Sequence, residues 1–260
     1  MRQVKRRIWA GAICEQVVYN LPDRARNIKG SQPQKPRFES EEERKAHRMG
    51  ISRRTHYRNF QANFSPTSLY STLTFDLEHE IHDFIDARRI RNNFMKVLKR
   101  ACPDAVIFCY MGKGKATHRI HFHMVSEGIP EEVIREKWKY GTICRIEKLR
   151  EHNYFNGVDR GQDYTGLATY LFDHWTEEIG GHHWYQTKNA KKPEVEPAKE
   201  VKVRGGYTKD RPPKAPKGYT LVDITMTKYG CMHYMYVLLP VKRKYTRRKN
   251  RSPDRFDGAL

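Results

Sequence analysis

One stretch, His118-Arg119-Ile120-His121-Phe122-His123-Met124-Val125, restricts the fold more than any other part of the chain. Only an extended backbone, with its period of two, collects Ile120, Phe122 and Met124 on one side and His121 and His123 on the other. Such a strand buries its apolar face and leaves a chemically distinct face above it. Two imidazoles side by side on a sheet begin a divalent metal site. An isolated His-x-His triplet is usually an ordinary amphipathic strand, so the rest of the chain decides.

The flanking segments supply a sheet for this strand. Residues 68–75, Ser-Leu-Tyr-Ser-Thr-Leu-Thr-Phe, are β-branched and aromatic and predict a strand. Asp76 is a cap for a following helix with an interrupted apolar face of Ile81, Phe84, Ile85, Phe94, Val97 and Leu98. The continuous apolar run Ala105–Tyr110 reads as a buried strand. A turn at Met111-Gly112-Lys113-Gly114-Lys115 joins it to the histidine strand as a hairpin with a basic tip. Pro130 suits a first helical position ahead of Val133, Ile134 and Trp138, and Thr142–Leu149 reads as another strand. A helix is expected from Tyr164 to about Ile179, and closing strands at Tyr219–Met226 and Tyr234–Leu239. Strands linked by helices in some places and hairpins in others predict an α+β fold. It would have a central antiparallel sheet with helices packed on one face and the other face left for a ligand.

The ends of the chain differ in character. Residues 1–63 read as a basic, irregular N-terminal extension, with loop-forming Pro33 and Pro36 and a capping box at Ser40-Glu41-Glu42-Glu43 that opens a charged helix. Arg53, Arg54, Tyr57, Arg58 and Phe60 mix cations with aromatics, which suits nucleic acid and equally suits a solvated helix face. The main domain is expected over residues 64–240, with a long exposed loop at about 188–218, followed by a basic tail over 241–260.

Charge narrows the partner. Lys and Arg outnumber Asp and Glu by 50 to 30 in the 260 residues, a formal charge of +20. That excess suits a polyanion and argues against a neutral metabolite. No apolar run is long enough to span a bilayer and no signal-peptide core stands at the N-terminus, so no membrane partner is expected. Five scattered cysteines (Cys14, Cys102, Cys109, Cys144, Cys231) with no Cys-x-x-Cys pair point to a reducing cytoplasm and away from a zinc finger.

A candidate nucleophile lies downstream, in Leu167-Ala168-Thr169-Tyr170-Leu171-Phe172-Asp173-His174. On a helix, Tyr170, Asp173 and His174 share one face. A phenol facing a two-histidine strand is a candidate nucleophile for a phosphodiester, although an unperturbed pKa of about 10 makes it a weak one near neutrality. In a chain with 15 tyrosines, Tyr170 alone would be unremarkable core packing.

The order Ser71-Thr72-Leu73-Thr74-Phe75, then His121-Phe122-His123, then Leu167-Ala168-Thr169-Tyr170-Leu171 resembles the three motifs of HUH endonucleases. More narrowly it resembles the rolling-circle replication initiation proteins of bacterial phages and plasmids. Trp138 and Gly141, the segment Trp184–Asn189 with Pro193, and Arg53-Arg54 with Asn59-Phe60 add to the likeness, which spans about residues 50–240. The resemblance implies a ferredoxin- or RRM-like fold and a Mg²⁺ or Mn²⁺ cofactor held by His121 and His123. It implies attack by Tyr170 on single-stranded DNA at a replication origin. The products would be a 5′-phosphotyrosine and an extendable 3′-hydroxyl. Helicase and polymerase would come from a bacterial host, since the chain has no P-loop.

The chain departs from that pattern twice. Relatives often carry an acidic third ligand before the histidines, where Met111 stands here; His174, Asp173 and Glu127 are the alternatives. Strand alternation turns His118 away. Relatives also place a lysine after the tyrosine, where this chain has Asp173 and His174; either the cation comes from Lys188, Lys191 or Lys192, or His174 is a metal ligand. With Arg53, Arg54, Lys113 and Lys115 these lysines form the expected DNA-binding set. A relaxase or transposase of the same chemistry, a hydrolytic nuclease, and a non-catalytic single-strand-binding protein are the competing readings.

Overall fold

A computed structural model describes residues 2–21, 38–114, 119–141, 144–173 and 184–238. The chain opens with β1 (Arg2–Ala10), β2 (Ile13–Leu21) and α1 (Glu41–Asn63). A βαββαβ unit follows: β3 (Leu69–Thr74), α2 (Phe84–Ala101), β4 (Val106–Lys113), β5 (Ile120–Glu127), α3 (Glu131–Lys137) and β6 (Cys144–Lys148). Next come a small hairpin of β7 (Tyr154–Phe155) and β8 (Val158–Asp159), then α4 (Thr165–Asp173) and β9 (Trp184–Gln186). Two short strands, β10 (Glu194–Val195) and β11 (Lys199–Glu200), precede the closing pair β12 (Tyr219–Met226) and β13 (Met232–Leu238).

The fold is α+β, as the alternation of apolar and polar residues predicts. One sheet has the order β6-β3-β5-β4-β9, with every neighbouring pair antiparallel. Its first four strands are those of the βαββαβ unit, so β5, the histidine strand, lies between β3 and β4. This split-βαβ order is the ferredoxin-like arrangement. Leu73, Ile107, Met111, Phe122 and Met124 point to the face covered by α2 and α3, where they meet Phe94, Met95, Leu98, Ile134 and Trp138. Asp83, not Asp76, caps α2, its carboxylate accepting from the Ile85 amide at 3.0 Å. Asp76 instead closes a short turn on the His79 amide. Ile85 and Val97 lie outside the buried face of α2 and are exposed.

The N-terminal region corrects the expectation of an irregular extension. Residues 2–21 form a hairpin inside a second antiparallel sheet of order β10-β1-β2-β13-β12, with β11 also on β1. The helix α1 begins as expected: Ser40 Oγ accepts from the Glu43 amide at 3.1 Å, while the Glu43 carboxylate accepts from the Glu39 amide at 2.8 Å. It then runs between the sheets. Phe60 and Phe64 pack on Phe108 of the first sheet, in one cluster with Ile13, Met235 and Val237 of the second. Tyr57 and Phe60 are therefore core residues and are not offered to a nucleic acid.

One buried carboxylate fastens α1 to the second sheet. Glu15, 2% exposed, accepts from Tyr57 Oη at 2.9 Å, from both Arg58 Nε at 2.7 Å and Nη2 at 2.9 Å, and from His233 Nδ1 at 2.5 Å. Burial favours the neutral acid, but the hydrogen bonds from His233 and Arg58 outweigh it and bring the Glu15 pKa down to about 2.

The expected loop at 188–218 is largely exposed yet anchored. Strands β10 and β11 pair with β1. Beyond them the Tyr207 amide donates to Gln3 at 2.7 Å, Gln16 to the Lys214 carbonyl at 2.9 Å, and Tyr234 to the Thr208 carbonyl at 2.8 Å. Among the described residues, no helix is long and apolar enough to cross a membrane.

Candidate metal and nucleophile site

The register of the first sheet sets the site. His123 stands opposite Thr72 on β3 and Tyr110 on β4, and His121 stands opposite Thr74 and Gly112. All six positions share the face turned toward α1 and α4. Gly112 contributes no side chain next to His121, which leaves room above that imidazole.

Both imidazoles aim the same atom at the same place: His121 Nε2 lies 3.1 Å from His123 Nε2. The other nitrogens are engaged elsewhere. His121 Nδ1 faces the Arg119 carbonyl at 3.4 Å, which can only accept, so Nδ1 carries the proton and Nε2 a lone pair. Burial lowers the His121 pKa against the opposing effect of that carbonyl, so the ring is neutral near pH 7 and fit to be a ligand.

His123 Nδ1 meets Tyr70 Oη at 2.7 Å and Thr72 Oγ1 at 3.4 Å, and the Tyr70 and His123 rings stack at 5.7 Å and 15°. Burial raises the Tyr70 pKa, so its phenol stays protonated and can give or take a hydrogen bond. Two tautomers follow. With the Tyr70 hydroxyl donating, His123 Nε2–H donates to His121. With His123 Nδ1–H donating to Tyr70, two bare Nε2 lone pairs converge, an arrangement that a bound cation would relieve.

Helix α4 brings the phenol to this pair. Ala168, Leu171 and Phe172 are buried beneath it, while Tyr170 is 51% exposed with its ring centroid 6.1 Å from that of His123. Asp173, one turn on, pairs with Arg53 of α1 at 2.6 Å.

The other candidates fall elsewhere. Met111 pairs with Phe122 and points into the core beneath the sheet, on the side opposite the histidines; the residue of β4 beside His123 is Tyr110. Glu127 shares the histidine face but lies four residues beyond His123, about 13 Å along a strand. It is bound there by the hydroxyls of Thr67, at 3.1 Å, and Ser68. Lys188, Lys191 and Lys192 are exposed beyond the Thr187–Ile107 hydrogen bond, toward the Glu127 end of the sheet and away from His121. Arg54 is half-buried on α1, and Lys113 ends β4 opposite Ile120. Lys115, His118 and His174, like the tail over 241–260, lie outside the described residues. Among the described residues, no group of three or more His, Cys, Asp or Glu side chains converges as a metal cage.

Two residues of the site escaped the sequence reading. Tyr70 orients His123, and alternation along β3 was the available signal, since Tyr70, Thr72 and Thr74 share a face. His56, buried on α1, lies with Nε2 3.1 Å from Tyr110 Oη and its ring within 5.2 Å of both Phe172 and Trp184. Its spacing to Phe60 marks the same inner face of α1, but a helix assigned to an extension offered no reason to look. No family model, no curated protein and no solved structure matches this chain.

Proposed function

We propose that the protein is a metal-dependent nicking and rejoining enzyme for single-stranded DNA that starts rolling-circle replication, with Tyr170 as nucleophile. One observation carries this reading: a half-exposed phenol stands beside two imidazoles whose Nε2 atoms converge to 3.1 Å. The resemblance of the three motifs and the +20 charge add support.

His121 and His123 would hold the cation. Two neutral nitrogen donors accept Mn²⁺ more readily than Mg²⁺, which prefers oxygen. A cation there would supply positive charge against the scissile phosphate. The chain's own groups do the rest. Tyr70 fixes the orientation of the His123 ring. Arg53 holds the last turn of α4 through Asp173, keeping Tyr170 in place. The Tyr170 oxygen bonds to phosphorus while the bond to the 3′ oxygen breaks; the phenol loses its proton and the 3′ oxygen gains one. One phosphoester replaces another, so the reverse step reseals DNA without a nucleotide cofactor. In this reading the partners are a phage or plasmid origin and the helicase and polymerase of a bacterial cytoplasm.

The test is incubation with a single-stranded oligonucleotide pool and Mn²⁺, followed by mass spectrometry. The expected result is a chelator-sensitive covalent adduct on Tyr170 that is absent from Tyr170→Phe. Binding without an adduct on a pool containing the origin would replace the enzyme with a binding protein. Cleavage without an adduct would indicate hydrolysis.

A further inference from the structure

The hairpin β7–β8 displays three large apolar side chains to solvent: Tyr154 is 64% exposed, Phe155 56% and Val158 58%. A two-stranded ribbon of this size is marginal by itself, yet this one is held from every side. Asn156 and Gly157, at φ 50° and 76°, form the tight turn that matches strand twist. His152 Nδ1 meets Asp159 at 2.8 Å and the Gly161 amide donates to Asp159 at 2.8 Å, while across the base the Arg160 amide donates to the Asn153 carbonyl at 2.7 Å and the Asn153 amide to the Gly161 carbonyl at 2.9 Å. Tyr164, the residue that leads into α4, donates its hydroxyl to the Arg150 carbonyl at 2.9 Å.

Phe155 is prepared on one side. The Arg160 guanidinium lies over its ring at 4.5 Å, and that guanidinium is itself fixed by Asp163 at 3.4 Å and the Val222 carbonyl at 3.1 Å. A ring backed by an immobilised cation and more than half exposed is a stacking platform with little entropy left to lose. Exposed Arg150 and His152 flank it, along with Glu151, in a chain carrying +20 overall.

We propose that the β7–β8 hairpin stacks bases of single-stranded nucleic acid, with Phe155 as the main platform and Tyr154 as the second. Every base has a π-face, so such a platform binds without sequence preference while the surrounding cations take the phosphates. Tyr164 stands six residues before Tyr170, about 9 Å along α4. The base of the hairpin is thereby tied to the start of the helix that carries the phenol. The inference rests on the reading above only in taking single-stranded DNA as the ligand; it does not need Tyr170 to be a nucleophile.

The experiment is a fluorescence titration of the full chain in the presence of chelator, so that no cleavage intervenes. The probes are an oligothymidylate longer than the ~16 nucleotides that one binding fold can occupy and inorganic polyphosphate, which has charge but no bases. Phe155→Ala should weaken oligothymidylate binding at least about fivefold, and Tyr154→Ala by a smaller factor, with polyphosphate binding unchanged. Phe155→Trp should keep the affinity and show quenching of the added indole when oligothymidylate binds. Equal binding of oligothymidylate by wild type and Phe155→Ala, or parallel losses for both probes, overturns the proposal while leaving the nicking reading intact. Loss of self-association in Phe155→Ala with unchanged oligothymidylate affinity also overturns it, and makes the hairpin a protein contact. No binding of oligothymidylate by wild type overturns both.

Discussion

The substitution Tyr70→Phe removes a single oxygen from the site. The ring and its stacking on His123 at 15° are kept; what goes is the hydroxyl 2.7 Å from Nδ1. The remaining acceptor, Thr72 Oγ1, is 3.4 Å away and holds the imidazole poorly. Losing the partner that orients a metal-bound histidine costs about 10–100-fold in metal affinity, or roughly 1.4–2.8 kcal/mol. With Thr72 partly substituting, the lower end applies, about tenfold. Calorimetric titration of Mn²⁺ into wild type and Tyr70→Phe would measure it. Adduct yield with a single-stranded oligonucleotide should fall at limiting Mn²⁺ and recover when Mn²⁺ is raised by the same factor. An unchanged Mn²⁺ affinity in a variant with unchanged melting temperature would show that Tyr70 does not orient a ligand. A loss that excess metal fails to rescue would place Tyr70 on the substrate instead.

Other substitutions separate chemistry from scaffold. His121→Ala or His123→Ala should abolish the adduct in oligonucleotide assays and leave most DNA affinity, measured by anisotropy, because phosphate contacts dominate binding. Arg53→Ala removes an exposed pair worth about 0–1 kcal/mol, so the melting temperature should barely move while adduct formation slows through a looser α4. Glu15→Gln leaves the Arg58 and His233 charges buried without their counter-ion and should cost about 3–5 kcal/mol in denaturant unfolding. The same clamp sets a pH window. Glu15 is lowered from 4.5 to about 2, so its contribution is present above 4.5 and fades as pH falls toward 2. Burial pushes the His233 pKa down, but its hydrogen bonds to Cys231 and Glu15 and the Glu15 charge outweigh that and raise it above 6.5, so its contribution is full below 6.5 and is lost as pH rises through the higher folded value. Thermal melts should therefore plateau between about pH 4.5 and 6.5 in wild type, with both limbs flattened in Glu15→Gln. Gly11→Ala should destabilise by at least about 1–3 kcal/mol in the same denaturant assay, since φ is +54° and a Cβ would meet the Gln61 carbonyl oxygen at 2.2 Å.

What was legible in the chain follows from how local its cause is. The alternation of β5 is visible because its two faces carry different chemistry, and the apolar run of β4 because both sides of that strand are buried. The N-terminal hairpin was hidden by its cations: Arg2, Lys5, Arg6 and Arg7 interrupt the inward Val4, Ile8 and Ala10. On β2, the polar Glu15 and Gln16 are buried, and the partners that make this tolerable, Arg58 and Lys214, lie 43 and 198 residues away. No window of sequence contains that compensation. Met111 failed for a different reason: the register puts Tyr110 opposite His123, and a shift of one residue in a strand moves a side chain to the other face.

The placement of Tyr170 depends on the helix that sequence patterning assigned to an extension. Gln61 of α1 binds the start of α4, accepting from the Tyr164 amide at 2.9 Å and donating to the Gln162 carbonyl at 2.6 Å. Arg53, two turns earlier, binds its last described residue, Asp173. Between them His56 reaches Tyr110 on β4 next to the histidine strand, while Tyr57 and Arg58 reach Glu15 on the second sheet. Nine residues of helix α4 are described, Thr165–Asp173, and a stretch of that length has little helical stability of its own. Both of its described ends are tied to α1, and α1 is locked to both sheets. The distance from the phenol to the imidazole pair is therefore set by the two-sheet sandwich as a whole, which explains why a basic segment far upstream of the motifs carries buried His56, Tyr57 and Phe60.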